Sequence, residues 1–315
     1  MAHWNLGPTR ENLHGHFSRE LQPVLTIDSG DTVTYKTLDA GWKFVSPRYP
    51  DIAPVEFSPK NPELDSGHCL TGPLFIRDAE PGMALEVKIH EVLPSGFGWT
   101  GAGGWPHAVN ERFGFVNGVT TQLFWTLDAD RMVGQNQLGH EISLSPFMGV
   151  MGLAPAEPGR HSTVPPRRVG GNIDCKELVA GTSLFLPVEV SGGLFSVGDG
   201  HAAQGDGEVC VTAIECPMDR VVLSFELHDS MPLQFPQARL EGAWATLGFA
   251  STLDEACFIA LEAMVDHMAS KFGLSRREAL ALASTVVDMR VTQIANETLG
   301  VHAILRDDAV RQLPA

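Results

Sequence analysis

The stretch from Gly198 to Glu208 reads Gly-Asp-Gly-His-Ala-Ala-Gln-Gly-Asp-Gly-Glu, and it confines what the chain around it can be. It carries three carboxylates (Asp199, Asp206, Glu208), the His201 imidazole, the Gln204 carboxamide and four glycines, with no Lys or Arg to balance the acids. Acids packed this closely repel one another unless a cation sits among them. Oxygen and nitrogen donors of this kind suit a hard or borderline metal such as zinc or calcium. The glycines free the backbone for φ > 0 and for close approach to a ligand. The flanks, Gly193 to Val197 and Val209 to Val211, read as buried, so two core strands are expected to present the motif as a loop. A solvated polar hairpin is the plain alternative, and the apolar flanks speak against it. A phosphate-cradling loop is excluded because its Lys is missing and three acids would repel the phosphate. The EF-hand order of ligands does not register on Asp199 either.

A chain of 315 residues can bury a large core. With 43 % hydrophobic and 19 % charged residues it has a globular balance. Its net charge of −16 argues against nucleic acid and anionic membranes as partners and favours small neutral or cationic ligands. No apolar run is long enough for a membrane helix, and the N-terminal residues lack the layout of a secretory signal. The five cysteines are odd in number and form no Cys-x-x-Cys pair, which fits reduced thiols and a cytoplasmic location.

Three glycine turns, at Gly30, Gly82 and Gly181, each feed a run of period-2 alternation: Val33 to Thr37, Leu85 to Ile89, and Leu184 to Val190. Val221 to Leu227 alternates in the same way. Between them, Ser95 to Pro106 holds Trp99 and Trp105 among glycines and reads as a mobile aromatic flap. Pro146 to Gly171, rich in Pro and Gly, reads as a long loop. Thr252-x-x-Glu255 and Ser275-x-x-Glu278 are capping boxes. They predict one helix ending at Gly273 and a second running to about Met289, with strand character returning from Val291 to Leu305. The fold class expected is mainly β, in sandwich or barrel layers, with an α+β C-terminal portion containing a helical hairpin. Regions 1–145, 146–220 (with the acidic motif) and 221–315 are expected to form one integrated unit.

Outside the motif, Asp174 in Gly-Gly-Asn-Ile-Asp suits either a turn or a ligand, and His68 at a strand entrance suits either a structural role or a ligand. His14 and His16 have only Glu20 as an acidic companion and are set aside. Cys175, Lys176 and Glu177 have the residue types of a Cys-Lys-Glu catalytic set, but side chains of adjacent residues diverge and cannot converge on one atom. No Gly-x-Ser-x-Gly elbow is present, so a serine triad is unsupported.

Taken in order, Leu21-Gln22-Pro23-Val24-Leu25, Gly30-Asp31-Thr32-Val33, His68-Cys69-Leu70-Thr71-Gly72-Pro73, Ala79-Glu80-Pro81-Gly82, Gly170-Gly171-Asn172-Ile173-Asp174, the acidic motif, Val291-Thr292-Gln293 and Gly300-Val301-His302-Ala303 resemble the acetamidase/formamidase family of amide hydrolases. The resemblance implies metal-dependent hydrolysis of short neutral aliphatic amides to a carboxylate and ammonia, a mainly β fold, and self-association as a homodimer or higher homo-oligomer. On that reading His201, Asp199, Asp174 and His68 hold a divalent metal, zinc, with calcium as an alternative or second ion. Glu208 serves as ligand or general base. Asp206, two residues away, would share its face on a strand and divide that work. Gln204 orients water or substrate, and Trp99, Trp105 and Asn172 face the substrate. The competing readings are a calcium-stabilised β-sandwich binding module without catalysis and a lactamase acting on small cyclic amides.

Overall fold

The alternating runs pair with one another in a single nine-stranded sheet. Its order is His3–Leu6, Thr32–Thr37, Met218–His228, Ala84–Pro94, Ser183–Pro187, Gln237–Leu240, Ala243–Ala250, Leu299–Arg306 and Val287–Gln293. The computed structural model describes residues 1–45 and 55–311. Register follows the alternation: Leu223 pairs Val33 and Phe225 pairs Val87, so their apolar faces fall on one side. A second sheet orders Gly170–Asn172, Phe147–Gly152, Phe195–His201, Leu70–Ile76 and Leu13–His14, with Leu25–Ile27 parallel to Leu70–Ile76. The two sheets share one core in which Val33, Tyr35, Val87, Ile89 and Phe225 meet Leu74, Ile76, Met148, Met151 and Phe195. This is a sandwich, with no closed barrel among the described residues.

The C-terminal helices form where their caps predict. Thr252 Oγ1 accepts the Glu255 N–H and opens the helix Leu253–Phe272, which Gly273 ends in the left-handed region. Ser275 and Glu278 form the reciprocal capping box of Arg276–Val286. Ala256, Ala260, Met264 and Met268 pack on Val301, Ala303 and Leu305 of the large sheet, while Ile304 on the same strand faces the sandwich core. No helix among the described residues is long and apolar enough to cross a membrane.

Three expectations are corrected. Ser95 to Pro106 is no free flap: Phe97–Ala102 is a strand pairing antiparallel with Thr121–Asp128, and Trp99 exchanges both backbone hydrogen bonds with Glu215. Pro146 to Gly171 is a loop only over residues 153–169, because Phe147–Gly152 is a strand buried on both faces and therefore shows no alternation, and Gly170 opens another strand. The second helix stops at Val286, since Val287–Gln293 pairs with Leu299–Arg306 as the last strand of the large sheet.

His302 lies within that last pair, with no exposed surface. Its Nδ1 pairs with Thr292 Oγ1 at 2.7 Å and its Nε2 has no partner. Burial pushes the ring down to about 4; the pull of Asp206 is opposed by Arg290 and Lys176. An unfolded chain takes up this proton near pH 6.5, so between that pH and about 4 it binds more protons than the native state, and stability falls with falling pH. In denaturant titrations of metal-free protein, His302→Asn is expected to be less stable than wild type at pH 8, with a gap that narrows toward pH 4.5. A gap that does not change with pH would mean that His302 titrates normally in the fold.

Candidate metal centre

The strand Phe195–His201 carries the first four residues of the acidic motif. Its alternation turns Asp199 and His201 to one face and Gly198 and Gly200 to the other. Neither of these glycines sits at positive φ. A Cβ on Gly198 would run into the Cys69 carbonyl, and one on Gly200 would come 2.7 Å from the Cys216 carbonyl oxygen. Their smallness thus serves close backbone packing, a different role from the positive φ and ligand approach expected of them. The left-handed residues are instead Asp174 (φ 49), Asp199 (φ 59) and Glu208 (φ 43), three of the acids at the site. Each such non-glycine conformation costs on the order of 1–3 kcal/mol and persists where its surroundings over-determine it.

Five side chains converge. His201, 1 % exposed, has Nε2 at 3.3 Å from both Asp199 Oδ1 and Glu215 Oε2, and Nδ1 at 3.8 Å from Asp174 Oδ1. Asp174, Asp199 and His201 form one set of donor atoms within 4.8 Å of one another; His201, Glu208 and Glu215 form another. Glu215 lies opposite His201 on a neighbouring extended segment held by the Trp99 backbone, and its Oε1 accepts the Ala213 N–H at 2.9 Å. Phe147 closes one side, edge-on to the imidazole at 5.1 Å. Asp174 Oδ1, Asp199 Oδ1, His201 Nδ1 and Glu208 Oε2 are all buried without a hydrogen-bond partner. Four buried polar atoms without a partner at one spot call for an explanation, and a divalent ion would satisfy them all.

The electrostatics agree. Burial pushes the Asp174 carboxyl up to about 7 against the pull of His201, with Asp199 adding repulsion. Burial also lifts Glu215 to about 7 and Glu208 well above the usual carboxylate range. At His201 burial disfavours the imidazolium, but Glu215 and Asp199 outweigh it and hold the proton on. At Asp199 burial is in turn outweighed by the nearby charge of His201, which keeps that carboxyl low. Without another cation, this proton is the centre's internal counter-charge. A divalent ion suits the donor set and would displace it.

The other predicted residues lie at varying distances from this point. His68 is half-buried, with Nδ1 2.8 Å from Thr163 Oγ1; its charge reaches Asp199, but it is outside both donor sets. Gln204 donates from Nε2 to the Asp174 carbonyl at 2.7 Å and keeps Oε1 unpartnered. Asn172 is buried at the edge of the second sheet, donating to the Val164 carbonyl at 3.2 Å. Asp206 does not share a face with Glu208, because the strand ends at His201 and the chain turns through Gly207 (φ 92). It points outward to Lys176 Nζ at 3.1 Å and Arg290 Nη2 at 2.6 Å, so cations from elsewhere in the fold balance the motif's second acid. The following residues are not a buried strand: Val209 is 63 % exposed. The Trp99 indole turns away to Asp39 Oδ2 at 3.4 Å, and Trp105 is half-buried with its carbonyl accepting from Asn110. Cys175 is buried with its thiol pushed up to about 12, and is no nucleophile. Glu215 was missed; the only signal is a lone acid between the apolar residues Ala213-Ile214 and Cys216.

An open cleft of about 380 Å³ lies over the centre, lined by Gln204, Glu208 and Val209, with Ile142, Ala203 and Ile214 among its apolar walls. The sequence profile of the acetamidase/formamidase family matches residues 5–161 and 156–231, a span that includes all five converging groups. The chain belongs to the acetamidase/formamidase family. A candidate formamidase of Schizosaccharomyces pombe is 30 % identical over 250 residues, which is 63 % of this chain and 60 % of that protein; the chain thus spans less than two thirds of that relative's length. The crystal structure of an acetamidase from Bacillus halodurans is 28 % identical with a TM-score of 0.81, over 96 % of this chain and 97 % of that one. An acetamidase from Yersinia enterocolitica is 25 % identical with a TM-score of 0.82, over 99 % and 94 %.

Gly149 opposes Asp199 across the paired strands, and its carbonyl accepts the Asp174 N–H at 3.2 Å. A Cβ there would stand 2.5 Å from Asp174 Oδ1, 2.7 Å from Asp199 Oδ2 and 2.9 Å from His201 Cε1. Gly149→Ala is therefore expected to fill the centre and weaken divalent-metal binding about tenfold or more, on the scale of losses seen when a ligand's setting is disturbed. Zinc content after dialysis against a fixed free-zinc buffer checks this; wild-type content in a folded Gly149→Ala protein would place the ion elsewhere.

Proposed function

We propose that this family member is a metal-dependent amidohydrolase that cleaves short, uncharged amides to a carboxylate and ammonia. The observation that carries this reading is the set of four unpartnered buried donors: Asp174 Oδ1, Asp199 Oδ1, His201 Nδ1 and Glu208 Oε2. Asp174, Asp199 and His201 would hold the ion with Glu215, and the imidazole among oxygens favours zinc over calcium, which takes oxygen ligands. Such an ion, when bound, lowers the pKa of water to about 7 and polarises a carbonyl.

The chain's own residues divide the remaining work. Glu208 belongs to the buried donor set and also lines the cleft, so it stands where substrate and centre meet. A buried carboxyl whose affinity for protons is raised is suited to take a proton from water and return it to the leaving nitrogen. Gln204, held through Nε2, offers a fixed carbonyl oxygen to an amide N–H. The apolar walls of the cleft favour an aliphatic acyl group. Lys176 and Arg290, the cations beside the loop, are already engaged by Asp206 and Glu177, which disfavours amides bearing a carboxylate. The family relatives named for formamide and acetamide support the same substrate class.

Removal of metal with EDTA is expected to abolish ammonia release from formamide and acetamide while leaving the far-ultraviolet circular dichroism unchanged. Glu208→Gln should keep its zinc and lose about 10²- to 10⁴-fold in kcat, the usual range for a general acid–base group. Full activity in metal-free protein would sink the metal mechanism, and a normal kcat in Glu208→Gln would remove that residue from proton transfer. A protein that binds calcium, gains thermal stability from it and releases no ammonia from any small amide or lactam would instead be a binding module.

A further inference from the structure

The carboxylates of the centre lie on four segments before residue 216, yet a later part of the chain reaches into it. Asn296 sits in the turn between Val287–Gln293 and Leu299–Arg306, beyond the residues matched by the family profile. It is 6 % exposed. Its Nδ2 donates to Asp174 Oδ2 and to the Asn172 carbonyl at 3.4 Å. Both partners are acceptors, so the amide must present its NH₂ group to them.

The turn does not depend on that side chain for its shape. The wholly buried Gln293 accepts the backbone N–H groups of Ala295 and Asn296 on Oε1 at 2.7 and 3.1 Å, and donates from Nε2 to the Thr298 carbonyl at 2.7 Å. Just before it, the Thr292 carbonyl accepts from Gly207 N–H at 3.1 Å and Ile294 N–H donates to the Gly207 carbonyl at 2.9 Å, which ties the turn to the loop bearing Glu208. Arg290 adds a clamp from Asp206 on that loop to Glu177 beyond Asp174. The turn is therefore held by groups other than the Asn296 amide, and that amide is aimed at one carboxylate oxygen.

Asp174 has two oxygens. Asn296 occupies Oδ2 and leaves Oδ1 buried, unpartnered and facing His201 Nδ1. A carboxylate free to rotate about its last bond would present either oxygen, and a donor on one of them selects which faces the ion. We propose that Asn296 is a positioning residue for the metal centre: by holding Asp174 Oδ2 it fixes Oδ1 as the donor. This rests on the metal-centre reading above.

Zinc affinity is measured by competition with a chromophoric chelator for wild type, Asn296→Ala and the isosteric Asn296→Asp, with the melting temperature of each metal-free protein alongside. Wild type is expected to bind zinc. Both variants should bind it about tenfold to a hundredfold more weakly, the range for lost partners of a metal ligand, with metal-free melting temperatures within a few degrees of wild type. Wild-type affinity in both variants overturns the proposal. So does a zinc loss matched by collapse of the metal-free melting temperature, since Asn296 would then be holding the fold. If wild type itself binds no zinc in the same titration, the metal-centre reading fails, and this inference with it.

Discussion

Four carboxylates and one imidazole, all within the packed interior, set the terms for everything around them. Asp174, Asp199, Glu208 and Glu215 are each no more than 5 % exposed, and no Lys or Arg stands among the donor sets they form with His201. Burial disfavours their ionised forms and mutual repulsion adds to it, so Asp174 and Glu215 are pushed up to about 7 and Glu208 well above the usual carboxylate range. The protonated imidazole relieves one charge only. A divalent cation would relieve two and satisfy the orphaned donor atoms, so on the proposed reading cohesion of this region and loading of the centre would be the same event. The large sandwich core is what lets the fold carry the mismatch before loading.

Holding the acids in place uses devices that work only together. Gly198 and Gly200 let the motif strand lie against the Cys69 and Cys216 backbones, Gly149 leaves the space between Asp174 and Asp199, and three acids accept left-handed backbone. Val211, a β-branched residue at φ 75, adds a further outlier just past Glu208. Strain of this kind persists only where the surroundings over-determine it, and at these acids it suits a preorganised site.

Much of this was legible in the chain, and the exceptions have physical causes. Both C-terminal helices could be placed because Thr252 and Ser275 announce them with caps, and the strands of the large sheet because their two faces differ in polarity. Phe147–Gly152 was opaque because both its faces are buried and it has no period to read. Asp206 and Glu208 were paired on the assumption of a continuous strand, whereas the chain leaves the sheet at His201 and sends one acid outward to Arg290 and the other inward. Glu215 and Asn296 join the site through pairing with Trp99 and through the last strand turn. Both are long-range contacts, which local spacing cannot encode.

The same contacts bear on how the loop over the centre behaves. A loop of glycines and acids, Gly205 to Glu208, exposed at Val209 and bordering an open cleft, has the composition of a moving lid. Its fastenings argue otherwise. Gly207 is bonded on both its N–H and carbonyl to the last strand pair, Asp206 is held by two cations, and Glu208 N–H donates to the Gly205 carbonyl at 3.2 Å. Opening would break two backbone hydrogen bonds and expose a carboxylate that repels its neighbours. On the proposed reading such closure would gain little, because a small neutral amide has few groups with which to drive it. The fastenings argue for a fixed Glu208 lining an open cleft, where on the proposed reading the apolar walls would set selectivity and the centre would stabilise developing charge.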